Sequence, residues 1–301
     1  MEGALLSPEL IARVGALEVE ARVAAEGALA GLHRSPRRGS SVEFAEHKEY
    51  APGDELRHVD WKTYGRSDRL YVKRYEEETE LHALFIVDAS ESMRYGTGAE
   101  EKLRFASLVA AALSYLLVTR RDRAGLLVAP GEAVPIGARP GHLRRILAAL
   151  STAQLEVTAT HAELPSVLRR ADAICKRRTQ VIVLSDLLDP DTDAVITAAR
   201  SLRARGHDPA LVQILHHDER TLPFQELAWY ESADSDARVL ADPRGVRAAY
   251  LEELGRLTAH FRSSLAVSRI PFATLTTSAD AVDAVAQLLH GPLARAGRSA
   301  A

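Results

Sequence analysis

From residue 82 onward the chain alternates short apolar runs with amphipathic helical patterns, and this alternation constrains its fold more than any other feature. The apolar runs are HALFIVD (82–88), AGLLVAP (124–130), AVPIGA (133–138), QVIVLSD (180–186), PALVQIL (209–215) and PFATLTT (271–277). Helical patterns near 100–119, 141–151, 162–177, 191–205, 243–264 and 279–289 separate most of them. Runs that are apolar at consecutive positions bury both faces, so the expected fold class is α/β: a doubly wound, mostly parallel sheet flanked by helices. The short gap between the second and third runs suits a hairpin and makes one sheet edge antiparallel. The stretch 224–241 is polar and acidic and is expected to be a surface excursion or hairpin.

Two different regions precede the alternating part. Residues 8–30 place Leu10, Ile11, Val14, Leu17, Val19, Val23 and Ala24 at helical spacing, with Ser7 as a cap and Pro8 at the first helical position. That predicts one amphipathic helix. Between residues 31 and 80 the composition shifts: 21 of these 50 residues are Asp, Glu, Lys or Arg, and the strand-like pieces (41–44 and 70–75) are short. So little apolar surface cannot make a core alone, so the segment is expected to form an irregular β-rich lobe packed against something larger. The expected division is residues 1–80 as N-terminal helix and charged lobe, 81–290 as the sheet domain, and 291–301 as a flexible tail.

Composition narrows the function classes. A chain of 301 residues, 47% hydrophobic and 26% charged, is ordinary globular sequence with enough length for a sizeable core. With 38 Lys and Arg against 41 Asp and Glu, the net charge of -3 gives no global positive field. The cluster Arg34, Arg37 and Arg38 lacks interleaved aromatics and is followed by Glu43, Glu46 and Glu49, so no nucleic-acid partner is expected. The single cysteine, Cys175, can form neither an internal disulfide nor a Cys-based zinc cluster, and it is expected to be a buried inert thiol in a cytoplasmic protein. The N-terminus has no long apolar region and the run 108–118 is too short to cross a bilayer, so neither leader nor membrane span is expected. His216 and His217 are adjacent at a strand end, where neighbouring side chains diverge, so they are not read as a zinc pair. The sequence has no P-loop pattern, and nucleotide hydrolysis is not expected.

In an open α/β sheet, ligands collect beyond the carboxyl ends of the strands, where the strand order reverses. The first central run ends there in Asp88-Ala89-Ser90-Glu91-Ser92-Met93. A carboxylate with hydroxyls two and four residues on can turn three oxygens toward one point as the chain leaves the strand. Hard divalent cations take oxygen ligands in octahedral geometry and usually keep some water. A second run delivers Asp186 at its own carboxyl end, and the loop EVTATH (156–161) supplies Thr158 and Thr160. Ser and Asp at strand-to-helix junctions also serve as helix caps, which is the competing reading.

Together, Asp88-x-Ser90-x-Ser92, a later loop threonine and strand-end Asp186 resemble the metal-ion-dependent adhesion site of von Willebrand factor A domains. The resemblance implies Mg2+, or Mn2+ in its place, ligated by Ser90, Ser92 and a threonine, for which Thr160 is the better match and Thr158 the other candidate. Ala159 stands before Thr160 where that family has a glycine-rich approach. It further implies that Asp88 and Asp186 act through water, and that a carboxylate from a protein client completes the shell.

A second signature lies upstream. EYAPGDELRHVDWK (49–62), followed by LYVKRYE (70–76) and the strand into Asp88, closely resembles the bacterial family named domain of unknown function 58. That resemblance implies a MoxR-type AAA+ ATPase as partner. Read physically, Pro52-Gly53-Asp54 is a turn, and Arg57, Asp60, Trp61 and Lys62 place ion-pairing groups around one large aromatic. The set serves either as a structural latch fixing the lobe to the sheet domain or as a partner-contact surface.

The leading expectation is therefore a non-enzymatic adaptor that grips an acidic client residue through a metal and works with a AAA+ ATPase in assembly or maturation of protein complexes. Two alternatives belong to other classes. One is a magnesium-dependent phosphatase with Asp88 as nucleophile, although Ser90 stands where such enzymes carry a second Asp. The other is a metal-independent scaffold using the 50–62 lobe.

Overall fold

The computed structural model describes residues 8–34, 47–49, 64, 71–73, 80–155, 163–189, 191–233, 237–291 and 293. The chain divides into two units, one made of Met1–Arg34 and Leu81–Ala301 and the other of Ser35–Glu80. In the larger unit, α1 (Pro8–Arg34) accompanies a sheet domain. In the smaller, β1 (His47–Glu49) pairs antiparallel with β2 (Tyr71–Lys73), His47 opposite Lys73. The strand expected over 70–75 is thus present in part, whereas 41–44 and the latch residues Asp54, Arg57, Asp60, Trp61 and Lys62 lie outside the described residues.

The sheet domain continues with β3 (His82–Asp88), α2 (Lys102–Thr119), β4 (Arg123–Ala129), β5 (Ala133–Gly137), α3 (His142–Leu155) and α4 (Leu164–Ile174). Then come β6 (Gln180–Ser185), α5 (Thr192–Ala204), β7 (Asp208–Leu215) and the short α6 (His217–Thr221). A separate hairpin, β8 (Ala228–Glu231) with β9 (Arg238–Ala241), precedes α7 (Pro243–Val267), β10 (Phe272–Thr276) and α8 (Ala281–His290). The six strands lie in the order β10-β7-β6-β3-β4-β5. Every neighbouring pair is parallel except β4 and β5. This is the expected α/β class: a doubly wound, mostly parallel sheet flanked by helices, consistent with a von Willebrand factor A-like fold. The hairpins expected at 124–138 and within 224–241 are both present.

Alternation along β3 shows why helices cover both faces. Phe85 and Val87 enter one apolar cluster with α1, α2, α3 and α8, while Leu84 and Ile86 enter the other with α4, α5 and α7. Strand order reverses between β3 and β6, so the carboxyl ends of these two strands flank the switch point.

Helix α1 belongs with the sheet domain rather than with the charged segment, a different grouping from the sequence division. Its inward stripe is Leu17, Ala21, Ala24, Ala25 and Ala28, whereas the larger Ile11, Val19 and Val23 are exposed. Small side chains let the helix approach its neighbours closely: a methyl group added at Gly27 would lie 3.1 Å from Val282 of α8. The apolar run 108–118 is part of α2, which has the length and composition to cross a membrane, but 67% of it is buried inside the domain.

Candidate metal centre

The chain leaves β3 through Asp88 and at once makes a single turn of 3₁₀ helix (Glu91–Arg94), pinned into the core by fully buried Met93. This bend brings the hydroxyls of Ser90 and Ser92 to 3.1 Å from each other. Ser90 occupies the cap position of the turn but makes no side-chain cap bond, so helix capping does not account for its buried hydroxyl. Two cis ligands of an octahedral Mg2+ at about 2.1 Å from the metal lie about 3 Å apart, which matches the pair.

Asp88 is almost fully buried and both its oxygens are engaged. The Ser90 amide donates to Oδ1 at 2.9 Å, and the Ser185 hydroxyl donates to Oδ2 at 2.7 Å. Ser185 also accepts from the Leu187 amide at 3.0 Å, so it ties the end of β6 to the end of β3. Burial, followed by the neighbouring Asp186 charge, pushes the Asp88 carboxyl up to about 6, against the opposing pull of these hydrogen bonds.

Asp186 begins the bend after β6. Its Oδ1 accepts from the Leu188 amide at 3.2 Å, and its Oδ2 accepts from the Lys102 ammonium at 2.9 Å. Lys102, at the start of α2, is 0% exposed and also donates to Glu219 Oε1 at 2.6 Å. Burial disfavours its charge, but Asp186 and Glu219 outweigh that penalty and hold the ammonium above the usual lysine range. The other oxygen of Glu219 accepts from the His216 amide at 2.7 Å, at the start of α6. Asp186 and Glu219 thus share one ammonium while the Asp88 and Asp186 charges repel each other, and a divalent cation between those two would relieve that repulsion.

The structure therefore brings Asp88, Ser90, Ser92 and Asp186 together at the switch point. Thr158 and Thr160 lie outside the described residues; on either side of them in sequence, Ala153, Gln154 and Leu164 bond to Arg94 and Asp189. Arg94 donates to the Ala153 and Gln154 carbonyls at 2.8 and 3.2 Å, and the Leu164 amide donates to Asp189 Oδ2 at 3.3 Å. Among the described residues no group of three or more His, Cys, Asp and Glu is arranged to hold a metal. His216 caps α6, its Nδ1 accepting from the Asp218 amide at 3.1 Å. Cys175 is buried at the end of α4, and burial raises its thiol pKa.

Sequence reasoning missed Lys102, Ser185 and Glu219. A signal for Lys102 existed: it shares a helical stripe with Ala106, Val109 and Leu113, all of them buried, and a charge on such a stripe needs a partner.

Gly96 shapes the loop between the serines and Lys102. It adopts φ +103°, and a Cβ there would lie 2.6 Å from the Glu100 carbonyl oxygen, inside a loop closed by the Lys102 amide bonding to the Tyr95 carbonyl at 3.1 Å. Gly96→Ala is expected to cost about 1–3 kcal/mol in urea unfolding, from the unsuitable dihedral and the contact together. A change below about 0.5 kcal/mol, the range of a neutral surface substitution, contradicts this account of the loop.

Fold and centre define an α/β chain of the doubly wound type with hydroxyls and buried carboxylates gathered at its switch point. The chain belongs to the family described as protein of unknown function DUF58, whose model matches residues 46–258. It is similar along nearly its whole length to the uncharacterized proteins Mb1516 of Mycobacterium bovis and Rv1480 of Mycobacterium tuberculosis. Each is 28% identical over 310 residues, covering 98% of this chain and 94% of the relative. Among solved structures, the conserved hypothetical protein BatB from Bacteroides thetaiotaomicron aligns with 14% identity and a TM-score of 0.46, over 73% of this chain and 100% of that one. An aerotolerance-related membrane protein from Bacteroides fragilis aligns with 12% identity and a TM-score of 0.46, over 71% and 99%.

Proposed function

We propose that this chain is a non-enzymatic protein-binding adaptor of the cytoplasm whose switch point holds Mg2+, or Mn2+, and through it an acidic residue of a client protein. The observation that carries the reading is the meeting of Ser90 and Ser92 hydroxyls 3.1 Å apart with Asp88 and Asp186 behind them. Ser90, Ser92 and Thr160 would be direct ligands, and Asp88 and Asp186 would act through water. Neutral hydroxyl ligands leave the cation electrophilic, so the chemistry it supplies is a Lewis-acidic position for an external carboxylate. Ser185 and the Ser90 amide hold Asp88 in a fixed orientation, and the Leu188 amide and Lys102 do the same for Asp186.

The second partner in this reading is a MoxR-type AAA+ ATPase, the energy source for assembling or maturing the client complex, and the family resemblance is what supports it. The phosphatase alternative asks Asp88 to attack phosphorus. Both of its oxygens already accept hydrogen bonds in a buried site, and no second carboxylate stands at Ser90, so this alternative has less support. The scaffold alternative depends on residues 50–62, outside the described part of the chain.

A pull-down from native extract tests the reading. The wild-type chain is expected to retain a client in Mg2+ and release it in chelator, and Asp88→Ala to retain none while keeping a wild-type circular dichroism spectrum. Capture that is the same in chelator and in the variant removes the proposal.

A further inference from the structure

We propose that Lys102 is the built-in counter-ion of the centre and sets its metal affinity by competing with the divalent cation for Asp186. The inference rests on the metal reading above and assigns its regulation. Lys102 is wholly buried, and its ammonium lies 2.9 Å from Asp186 Oδ2 and 2.6 Å from Glu219 Oε1. A buried carboxylate without a counter-charge is strongly unfavourable, so in the metal-free chain this ammonium is the partner that offsets the burial of Asp186 and holds its side chain in place. Two cations drawn to one carboxylate repel each other, so the same ammonium opposes the entry of a metal.

Glu219 makes the exchange feasible. Its second oxygen is held by the His216 amide at 2.7 Å, so it stays in position as a carboxylate that Lys102 does not share with the metal site. Lys102 can keep this partner when a metal takes over Asp186. A lysine with one shared and one private carboxylate gives a centre that is stable when empty and releases its metal readily, as suits a grip that must let go of its client.

The test uses the full chain, free Mn2+ measured by electron paramagnetic resonance, and thermal unfolding in excess chelator or excess Mg2+. Lys102→Met keeps an unbranched side chain one atom shorter and removes its charge. It is expected to bind Mn2+ at least about 10-fold more tightly than wild type, in line with the leverage of groups behind the ligands. It should also unfold at a clearly lower temperature in chelator and recover most of that loss in Mg2+. Glu219→Gln leaves Lys102 with Asp186 as its remaining carboxylate and is expected to weaken Mn2+ binding.

Lys102→Met binding Mn2+ within two-fold of wild type, or losing the same stability in chelator and in Mg2+, makes Lys102 a structural ion pair and overturns the inference. If Lys102→Met folds under neither condition, Glu219→Gln decides, and unchanged affinity there overturns it too. Wild-type chain that takes up no Mn2+ removes the metal reading itself and this inference with it, whereas normal uptake with an indifferent Lys102→Met removes the inference alone.

Discussion

Asp88→Asn is expected to make the chelated protein more stable at neutral pH while weakening its hold on metal. In the folded chain the Asp88 carboxyl is raised from 3.8 to about 6, chiefly by burial and then by Asp186. The folded state therefore binds this proton more tightly than the unfolded state does. Its contribution to stability is fully present below about pH 4 and is lost as the pH rises through about 6, a difference of about 3 kcal/mol. Asparagine carries no charge and fits the same bonds: its carbonyl can accept from the Ser90 amide, and its amide can donate to Ser185, whose hydroxyl oxygen has a second lone pair. Urea unfolding in chelator should show wild type losing stability between pH 4 and 7 relative to Asp88→Asn, with the variant up to about 3 kcal/mol more stable at pH 7. Added Mg2+ should stabilise wild type and leave the variant nearly unchanged. Parallel pH profiles for the two proteins contradict this picture of Asp88.

The second large effect is on stability alone. Phe85 lies in the middle of β3, paired with Leu126 on one side and Ile182 on the other, and is fully buried. Phe85→Ala removes a ring from the cluster shared with α1, α2, α3 and α8 and is expected to cost about 3–5 kcal/mol, a large share of the roughly 5–15 kcal/mol that holds a domain together. Asp88 is three residues further along the strand, so its side chain lies on the opposite face of the sheet. The folded variant should therefore take up Mn2+ as wild type does. A loss below 1 kcal/mol in urea unfolding, or a large loss of Mn2+ affinity in the folded protein, contradicts the separation of the two sheet faces.

Much of this architecture was legible because local pattern and burial agree. The runs at 82–88 and 180–186 are apolar on both faces, and both become buried strands whose ends meet at the switch point. Asp88, Ser90 and Ser92 were legible for a similar reason: their convergence is made by five consecutive residues in one bend. Lys102 was not, because a lysine after two glutamates looks like a solvated charge. Its partners stand 84 and 117 residues away, and only the packing of α2 against the strand ends brings them together. Ser185 was hidden because it precedes a more conspicuous aspartate. Helix α1 shows the opposite case: Ile11, Val19 and Val23 are large, apolar and at helical spacing, yet they are exposed, because alanines allow the closer approach.

Mn2+ uptake by the full chain, followed by electron paramagnetic resonance, tests the divalent centre most directly. The account predicts one Mn2+ per chain, displaced by Mg2+, bound about 10–100-fold more weakly by Asp88→Asn, and lost when Ser90 and Ser92 are both replaced by Ala. No uptake at millimolar Mn2+, or equal uptake by the wild-type and variant chains, contradicts it.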